Sequence, residues 1–113
     1  MNTSDFANSL LTSLRKLSQI TKVDLHTEGP IVSGRALIDD TTFLSFYYNQ
    51  NTATQAFALV KHAERIWGID FDDIRGWHLH PSHHPQDHIM IQAQDIQSII
   101  NQLQRFLDSW EEK

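Results

Sequence analysis

Histidine is concentrated in one short segment of this 113-residue sequence. Five of the seven histidines lie between positions 78 and 88, and they are His78, His80, His83, His84 and His88. Histidine changes its charge near neutral pH, so it serves both in proton transfer and as a ligand for divalent metals. The segment is therefore the first candidate for a functional site.

The spacing of the first two histidines predicts that they act together. If residues 77–80 are extended, alternation places His78 and His80 on one face and Trp77 and Leu79 on the other. The two apolar side chains then anchor the segment in a core, while both imidazoles project into a common space. Two prolines stiffen the loop that follows, which lowers the entropy lost when its side chains are held in place.

Three interpretations of this segment are open. In the first, a histidine pair takes a proton from a nucleophile and returns one to a leaving group. Cleavage of RNA without a metal needs such a pair, acting on the 2′-hydroxyl and the 5′-oxygen, and a cation beside the phosphate. In the second, a divalent metal such as zinc or nickel is bound by the histidines. In the third, the histidines only hydrogen-bond the backbone of a polar loop.

Each chemical interpretation assigns particular residues. For acid–base catalysis, His78 and His80 form the pair, and His88 is a third member. If a metal is present, the ligand set that we favour is the following: His78, His80, His83 and His84.

Residues outside the histidine segment supply the other groups that RNA cleavage needs. Arg65 and Arg75 are candidate phosphate contacts, and Asp70 is a candidate carboxylate that orients an imidazole. Tyr47 and Tyr48 offer rings on which a nucleobase can stack. Alternation in a strand sends one of the two tyrosines into the core, and we assign Tyr48 to the substrate.

Two amphipathic helices are predicted at the ends of the chain. The first has an apolar face at helical spacing, begins at a cap provided by Thr3 or Ser4, and stops near Thr21. The second carries an apolar stripe between Ile96 and Trp110, with Asp95 near its start. Both helices present one face suited to packing on a sheet.

Between the helices the hydrophobic period changes to two, which predicts strands. They run over residues 22–28, 31–38, 43–48, 55–62 and 64–71, with short turns between them. Such turns favour an antiparallel meander. We therefore predict one α+β domain over residues 1–113, with a sheet of four to five strands and both helices packed on it.

Composition limits the classes of protein that fit. Without cysteine there is no disulfide scaffold, thiolate metal site or cysteine nucleophile. No apolar run approaches the roughly 18 residues of a membrane span, and the N-terminus lacks the pattern of a secretory signal, so we expect a cytoplasmic protein without membrane contact. The net charge of −5 argues against broad electrostatic binding of nucleic acid.

The order of several motifs resembles the TumE family of small prokaryotic toxins. The run Arg65-Ile66-Trp67-Gly68-Ile69-Asp70 is followed by Gly76-Trp77-His78-Leu79-His80-Pro81 and then by Asp87-His88-Ile89. The resemblance covers about residues 30–110. It implies the toxin of a type II toxin–antitoxin pair with an RNase-like, growth-inhibiting activity, and a cognate antitoxin as partner. The family pattern maps onto these residues: Arg65, Asp70, His78, His80 and His88.

Two alternatives to the toxin remain open at this point. His78-Leu79-His80-Pro81 also resembles the His-x-His-Pro core of JAMM metalloproteases, which implies a metal-dependent hydrolase. Leu79 stands where that family has Ser or Thr, and the downstream Ser-x-x-Asp is absent. The other alternative is a non-catalytic interaction domain. An open sheet edge or face in any of these proteins would also suit a homodimer.

Overall fold

The computed structural model describes residues 1–81, 84 and 86–110. Helix α1 spans Thr3–Leu14 and helix α2 spans Ile96–Ser109. The strands between them are β1 (Lys22–Glu28), β2 (Ile31–Asp39), β3 (Thr42–Asn49), β4 (Thr54–Lys61), β5 (Glu64–Asp72), β6 (Gly76–His80) and β7 (Ile89–Met90). No helix among the described residues is long and apolar enough to cross a membrane.

The strands form one antiparallel sheet in which neighbours in sequence are neighbours in space, from β1 to β7. The predicted α+β class and the antiparallel meander are therefore confirmed. The predicted count of four to five strands is wrong, because β6 and β7 add to the five strands foreseen. β7 has only two residues, and both of them are exposed. Such a short strand shows no alternation in the sequence and forms only because β6 offers it a free edge.

Helix α1 ends at Leu14 rather than near Thr21. Its N-cap is Asn2, whose side-chain oxygen accepts a hydrogen bond from the backbone N–H of Asp5, so neither Thr3 nor Ser4 provides the cap. Thr21 already donates its backbone N–H to the carbonyl of Leu37, so it is held beside strand β2. Helix α1 therefore ends before the apolar periodicity of the sequence does, because the chain must reach Thr21 in position to pair with the sheet.

Both helices cover the same face of the sheet. The Phe6 ring of α1 stacks on Tyr48 of β3, with centroids 4.5 Å apart and planes 7° apart. The ring of Trp67 in β5 packs against that of Phe106 in α2, with centroids 6.4 Å apart. The alternate residues of these strands point to the opposite face, which the helices leave open. That open face carries the candidate site together with polar, small and aromatic side chains, among them Ser45, Ala58 and Tyr47.

Candidate functional site

The hairpin of β5 and β6 brings the first predicted site residues together on the open face. His78 lies directly opposite Asp70 in the register, and His80 lies opposite Gly68. His78 is 2 % exposed and His80 is 5 % exposed. The predicted alternation is confirmed, because Leu79 lies opposite Ile69 and packs against the core on the other face.

His88 completes a group of three imidazoles. Its ring centroid lies 5.1 Å from that of His78 and 4.6 Å from that of His80, and the rings of His78 and His80 are 5.1 Å apart. His88 comes from the segment before β7, whose pairing of Met90 with His78 returns the chain to β6. The three rings thus form a compact triangle that joins a buried pair to an exposed third member.

Asp70 is the carboxylate that organises this triangle. Its Oδ2 atom lies 2.9 Å from Nε2 of His80 and 3.7 Å from Nε2 of His78. The same carboxylate accepts hydrogen bonds from NH2 of Arg65 at 3.1 Å to each oxygen. An ionised carboxylate accepts hydrogen bonds only, so His80 carries its proton on Nε2 in this contact. The expected orienting role of Asp70 therefore has a specific geometric basis.

Gly68 makes room for the Arg65 side chain. A Cβ atom at Gly68 would lie 2.4 Å from NH2 and 2.7 Å from Nε of Arg65, so the guanidinium passes directly over this position. Strand β5 has an irregular register beside β4 near Arg65, where Leu59 pairs with Trp67 and Val60 pairs with Arg65. A glycine inside a strand often marks such a close approach, which is the sequence signal that identifies Gly68.

Arg75 approaches the triangle from the turn between β5 and β6. Its NH1 atom donates to Nε2 of His88 at 2.8 Å. Arginine has no acceptor, so this contact requires an unprotonated Nε2 on His88. Asp72 holds Arg75 from the other side, through an ion pair of 3.3 Å and a bond from the Arg75 backbone N–H. That backbone bond is the main cause that lowers the pKa of Asp72.

The surroundings of His88 lower its pKa below the ordinary value of 6.5. Partial desolvation of the ring is the largest cause, and the positive charges that His80, Arg75 and His78 can carry act in the same direction. The negative charge of Asp70 opposes them. His88 therefore stays neutral at lower pH than an isolated histidine, which suits a group that accepts a proton.

His78 is oriented by the backbone. Its Nδ1 atom lies 3.1 Å from the carbonyl oxygen of Gly76, so Nδ1–H donates to that oxygen. Nε2 of His78 lies on the side of Asp70, 3.7 Å from its Oδ2 atom. The whole group lines an open pocket of about 300 Å³, which extends along the sheet as far as Thr54 and Ala56 of β4.

The structure changes the candidate ligand set for a metal. His78, His80 and His88 each offer a nitrogen, and these three atoms lie within 4.8 Å of one another. Among the described residues, the group does not include His84, which is exposed. The predicted ligand His83 lies outside the described residues. The third candidate nitrogen ligand comes from His88 instead.

Tyr48 does not reach the site. It is 3 % exposed, its ring is stacked on Phe6, and its hydroxyl donates to the carbonyl of Met1. The assignment of Tyr48 to the substrate is therefore wrong, because β3 directs its ring into the core under α1. Tyr47 is the tyrosine that alternation places on the open face.

Comparison with known proteins adds no assignment. No protein-family model matches this chain, and neither a curated protein nor a solved structure matches it. The resemblance to the TumE family accordingly stays a prediction from the motif residues.

Proposed function

We propose that this protein is a metal-independent ribonuclease that acts as the growth-inhibiting toxin of a toxin–antitoxin pair. The observation that carries the proposal is the pocket that unites His78, His80 and His88 with Asp70 and two guanidinium groups. General acid–base cleavage of RNA requires groups that exchange protons near neutral pH and cations that bind the phosphate. The toxin role is supported by the motif order that resembles the TumE family.

Arg75 links substrate binding to the activation of His88. In the free protein its guanidinium occupies the lone pair of Nε2 on His88. A substrate phosphate is a stronger acceptor, so Arg75 moves onto the phosphate and leaves Nε2 as a base. Arg65 remains with Asp70, so its main effect is to fix the carboxylate, and its exposed part adds positive potential at the pocket.

The reaction then proceeds by two proton transfers, one from the substrate to His88 and one from His80 to the substrate, and the ring centroids of these two histidines are 4.6 Å apart. Nε2 of His88 takes the proton of the 2′-hydroxyl, and the 2′-oxygen forms a bond to phosphorus. The bond from phosphorus to the 5′-oxygen breaks, and the His80 imidazolium gives a proton to that oxygen. Asp70 stabilises this imidazolium through Nε2, at 2.9 Å. The products are a 2′,3′-cyclic phosphate and a 5′-hydroxyl.

His88→Ala and His80→Ala test the chemistry. Removal of a general base or acid typically lowers the rate by about 10²–10⁴-fold. We expect losses in this range in cleavage of a labelled RNA, and a 2′,3′-cyclic phosphate end on the wild-type product. His62→Asn is the matched control, since it removes an exposed imidazole at the β4–β5 turn where φ is 51°. Equal cleavage by all four proteins would contradict the mechanism.

Growth inhibition tests the biological part of the proposal. Induced expression of the wild-type chain is expected to arrest bacterial growth, and expression of His88→Ala at the same level is expected not to. Growth arrest by both proteins would show that the toxicity does not depend on His88 and would contradict the proposed mechanism of toxicity. Co-expression of a protein encoded beside this gene is expected to restore growth if that protein is the antitoxin.

A metal-dependent hydrolase is the second candidate, because three histidine nitrogens lie within 4.8 Å of one another. A carbonyl holds Nδ1 of His78 and a carboxylate holds Nε2 of His80, and such partners commonly orient metal-ligating histidines. Zinc titration of untagged protein by calorimetry separates the two candidates. Tight binding of about one zinc per chain, with activity lost to a chelator and restored by zinc, favours the hydrolase; chelator-resistant cleavage favours the ribonuclease.

A further inference from the structure

A second polar pocket lies on the open face of the sheet, nearer to β1. It has a volume of about 440 Å³. Its polar lining comes from Asp24, His26, Ser33, Arg35, Ser45 and Tyr47. Arg35 lies over the ring of Phe43 at 4.4 Å from the centroid, which supports the guanidinium without using its hydrogen-bond donors. The proposed reaction does not use this pocket.

The two pockets meet at one pair of neighbouring residues. Tyr47 lines the second pocket, Ala56 lines the histidine pocket, and the register of β3 and β4 places them directly opposite each other. Ala56 lies in turn opposite Asp70, and Asp70 lies opposite His78. A single row of paired residues therefore joins Tyr47 to His78, across strands spaced about 4.8 Å apart.

Small side chains keep this row open. Ala58 lies opposite Ser45 on one side and Gly68 on the other, and Ala56 lies beside Ala58 on the same face. These four side chains are all short, so they leave space above the strands. Two strand spacings, about 10 Å, separate Tyr47 from Asp70. A dinucleotide spans this distance when its phosphate lies over the histidines and its base lies at Tyr47.

We propose that Tyr47 binds the nucleobase next to the cleaved phosphate, and that the RNA strand continues from there toward Arg35. The proposal rests on the ribonuclease function and names the surface that holds its substrate. Single-stranded RNA commonly binds by stacking its bases on aromatic side chains beside a cationic track. Tyr47 supplies the ring, and Arg75 and Arg35 supply cations on either side of it.

The test separates binding from cleavage. Fluorescence anisotropy measures the Kd of a labelled 2′-O-methyl RNA oligonucleotide, which the proposed reaction cannot cleave. Tyr47→Ala is expected to weaken binding about tenfold or more, because one stacked base is lost. Tyr47→Phe keeps the ring and is expected to bind like the wild type. Thermal unfolding of each variant checks that the sheet is intact.

A kinetic comparison distinguishes positioning from chemistry. With 2-hydroxypropyl 4-nitrophenyl phosphate, an RNA analogue that has a hydroxyl beside its phosphodiester but no nucleobase, Tyr47→Ala is expected to react as fast as the wild type. With the oligoribonucleotide it is expected to show a raised KM. Normal RNA cleavage by the wild type together with an unchanged Kd for Tyr47→Ala overturns the role of Tyr47 and leaves the ribonuclease function standing. Absence of both RNA cleavage and RNA binding in the wild type overturns the ribonuclease function and this proposal with it.

Discussion

At the scale of single residues, the site depends on how two arginines are restrained. Arg65 is bound to Asp70 by its NH2 group, and Arg75 is held between Asp72 and His88. The sequence indicated both residues as phosphate contacts of equal standing. Their restraints suit them to different tasks, because Arg75 also contacts the imidazole of His88, which accepts a proton in the proposed reaction.

Arg75→Gln is expected to raise the pKa of His88. Its guanidinium is one of the positive charges that lower this pKa, and its removal favours the imidazolium. The acidic limb of the pH–rate profile should therefore move to higher pH. NMR titration of the histidine Cε1–H signals measures the change directly. Arg105→Gln, which makes the same change in charge on the exposed side of α2, should leave it in place; a downward or absent shift in Arg75→Gln would refute the argument.

Gly68→Ala is expected to displace Arg65 without unfolding the protein. The added methyl group meets the flexible end of one side chain rather than backbone, so the sheet can keep its register. Asp70 then loses its guanidinium partner, and we expect RNA cleavage to fall about tenfold or more while thermal stability changes by less than about 1.5 kcal/mol. Full activity in Gly68→Ala would show that the Arg65–Asp70 pair has no part in the chemistry.

At the scale of elements, tight hairpins position the strands that carry the candidate site. The turn between β4 and β5 consists of His62 and Ala63, with φ of 51° and 64°. Both residues are in the left-handed region, which matches the twist of a tight hairpin. This turn aligns β5 on β4 and thereby places Arg65 and Asp70 on the open face.

Ala63→Gly is expected to stabilise the protein by about 0.5–1 kcal/mol. Left-handed geometry costs a non-glycine residue about 1–2 kcal/mol, and the greater chain entropy of unfolded glycine offsets part of that gain. Urea unfolding monitored by tryptophan fluorescence measures the difference. Ala7→Gly in α1 provides the opposite control, since glycine inside a helix destabilises by about 1 kcal/mol. An unfolding midpoint for Ala63→Gly at or below that of the wild type would contradict the argument.

At the scale of the whole molecule, the charge of −5 limits how the proposed RNA substrate can be held. The two pockets on the open face offer the arginines Arg35, Arg65 and Arg75 set among the acidic residues Asp24, Asp70 and Asp72. The proposed function therefore predicts RNA binding through a small number of phosphate contacts together with stacking. The sheet also ends in β1 and the two-residue β7, so a homodimer and an antitoxin contact stay predictions for these edges.

The salt dependence of RNA binding should consequently be shallow. For single-stranded nucleic acid, the slope of log Kobs against log salt is about −0.7 per neutralised phosphate. Two or three arginine contacts predict a slope of about −1.4 to −2.1. Anisotropy titrations between about 50 and 200 mM salt measure it. A slope steeper than about −4 would reveal an extended cationic surface, which the distribution of charges does not predict.

The sequence by itself determined the α+β class, both terminal helices, the meander and the shared face of His78 and His80. These features follow from local periodicity and short turns, which depend on neighbouring residues only. The motif order also indicated Asp70, Arg65 and His88 as site residues, and the position of Arg75 just before the histidine segment indicated it as a phosphate contact.

Only the tertiary structure decided how these groups are connected. The contact of His88 with the buried pair depends on the path of the chain back to β7, and the passage of Arg65 over Gly68 depends on the irregular register of β5. The choice of Tyr47 over Tyr48 depends on which face α1 covers. Periodicity defines two faces of a strand but not which one a distant helix will bury, because burial is set by packing between elements far apart in the chain.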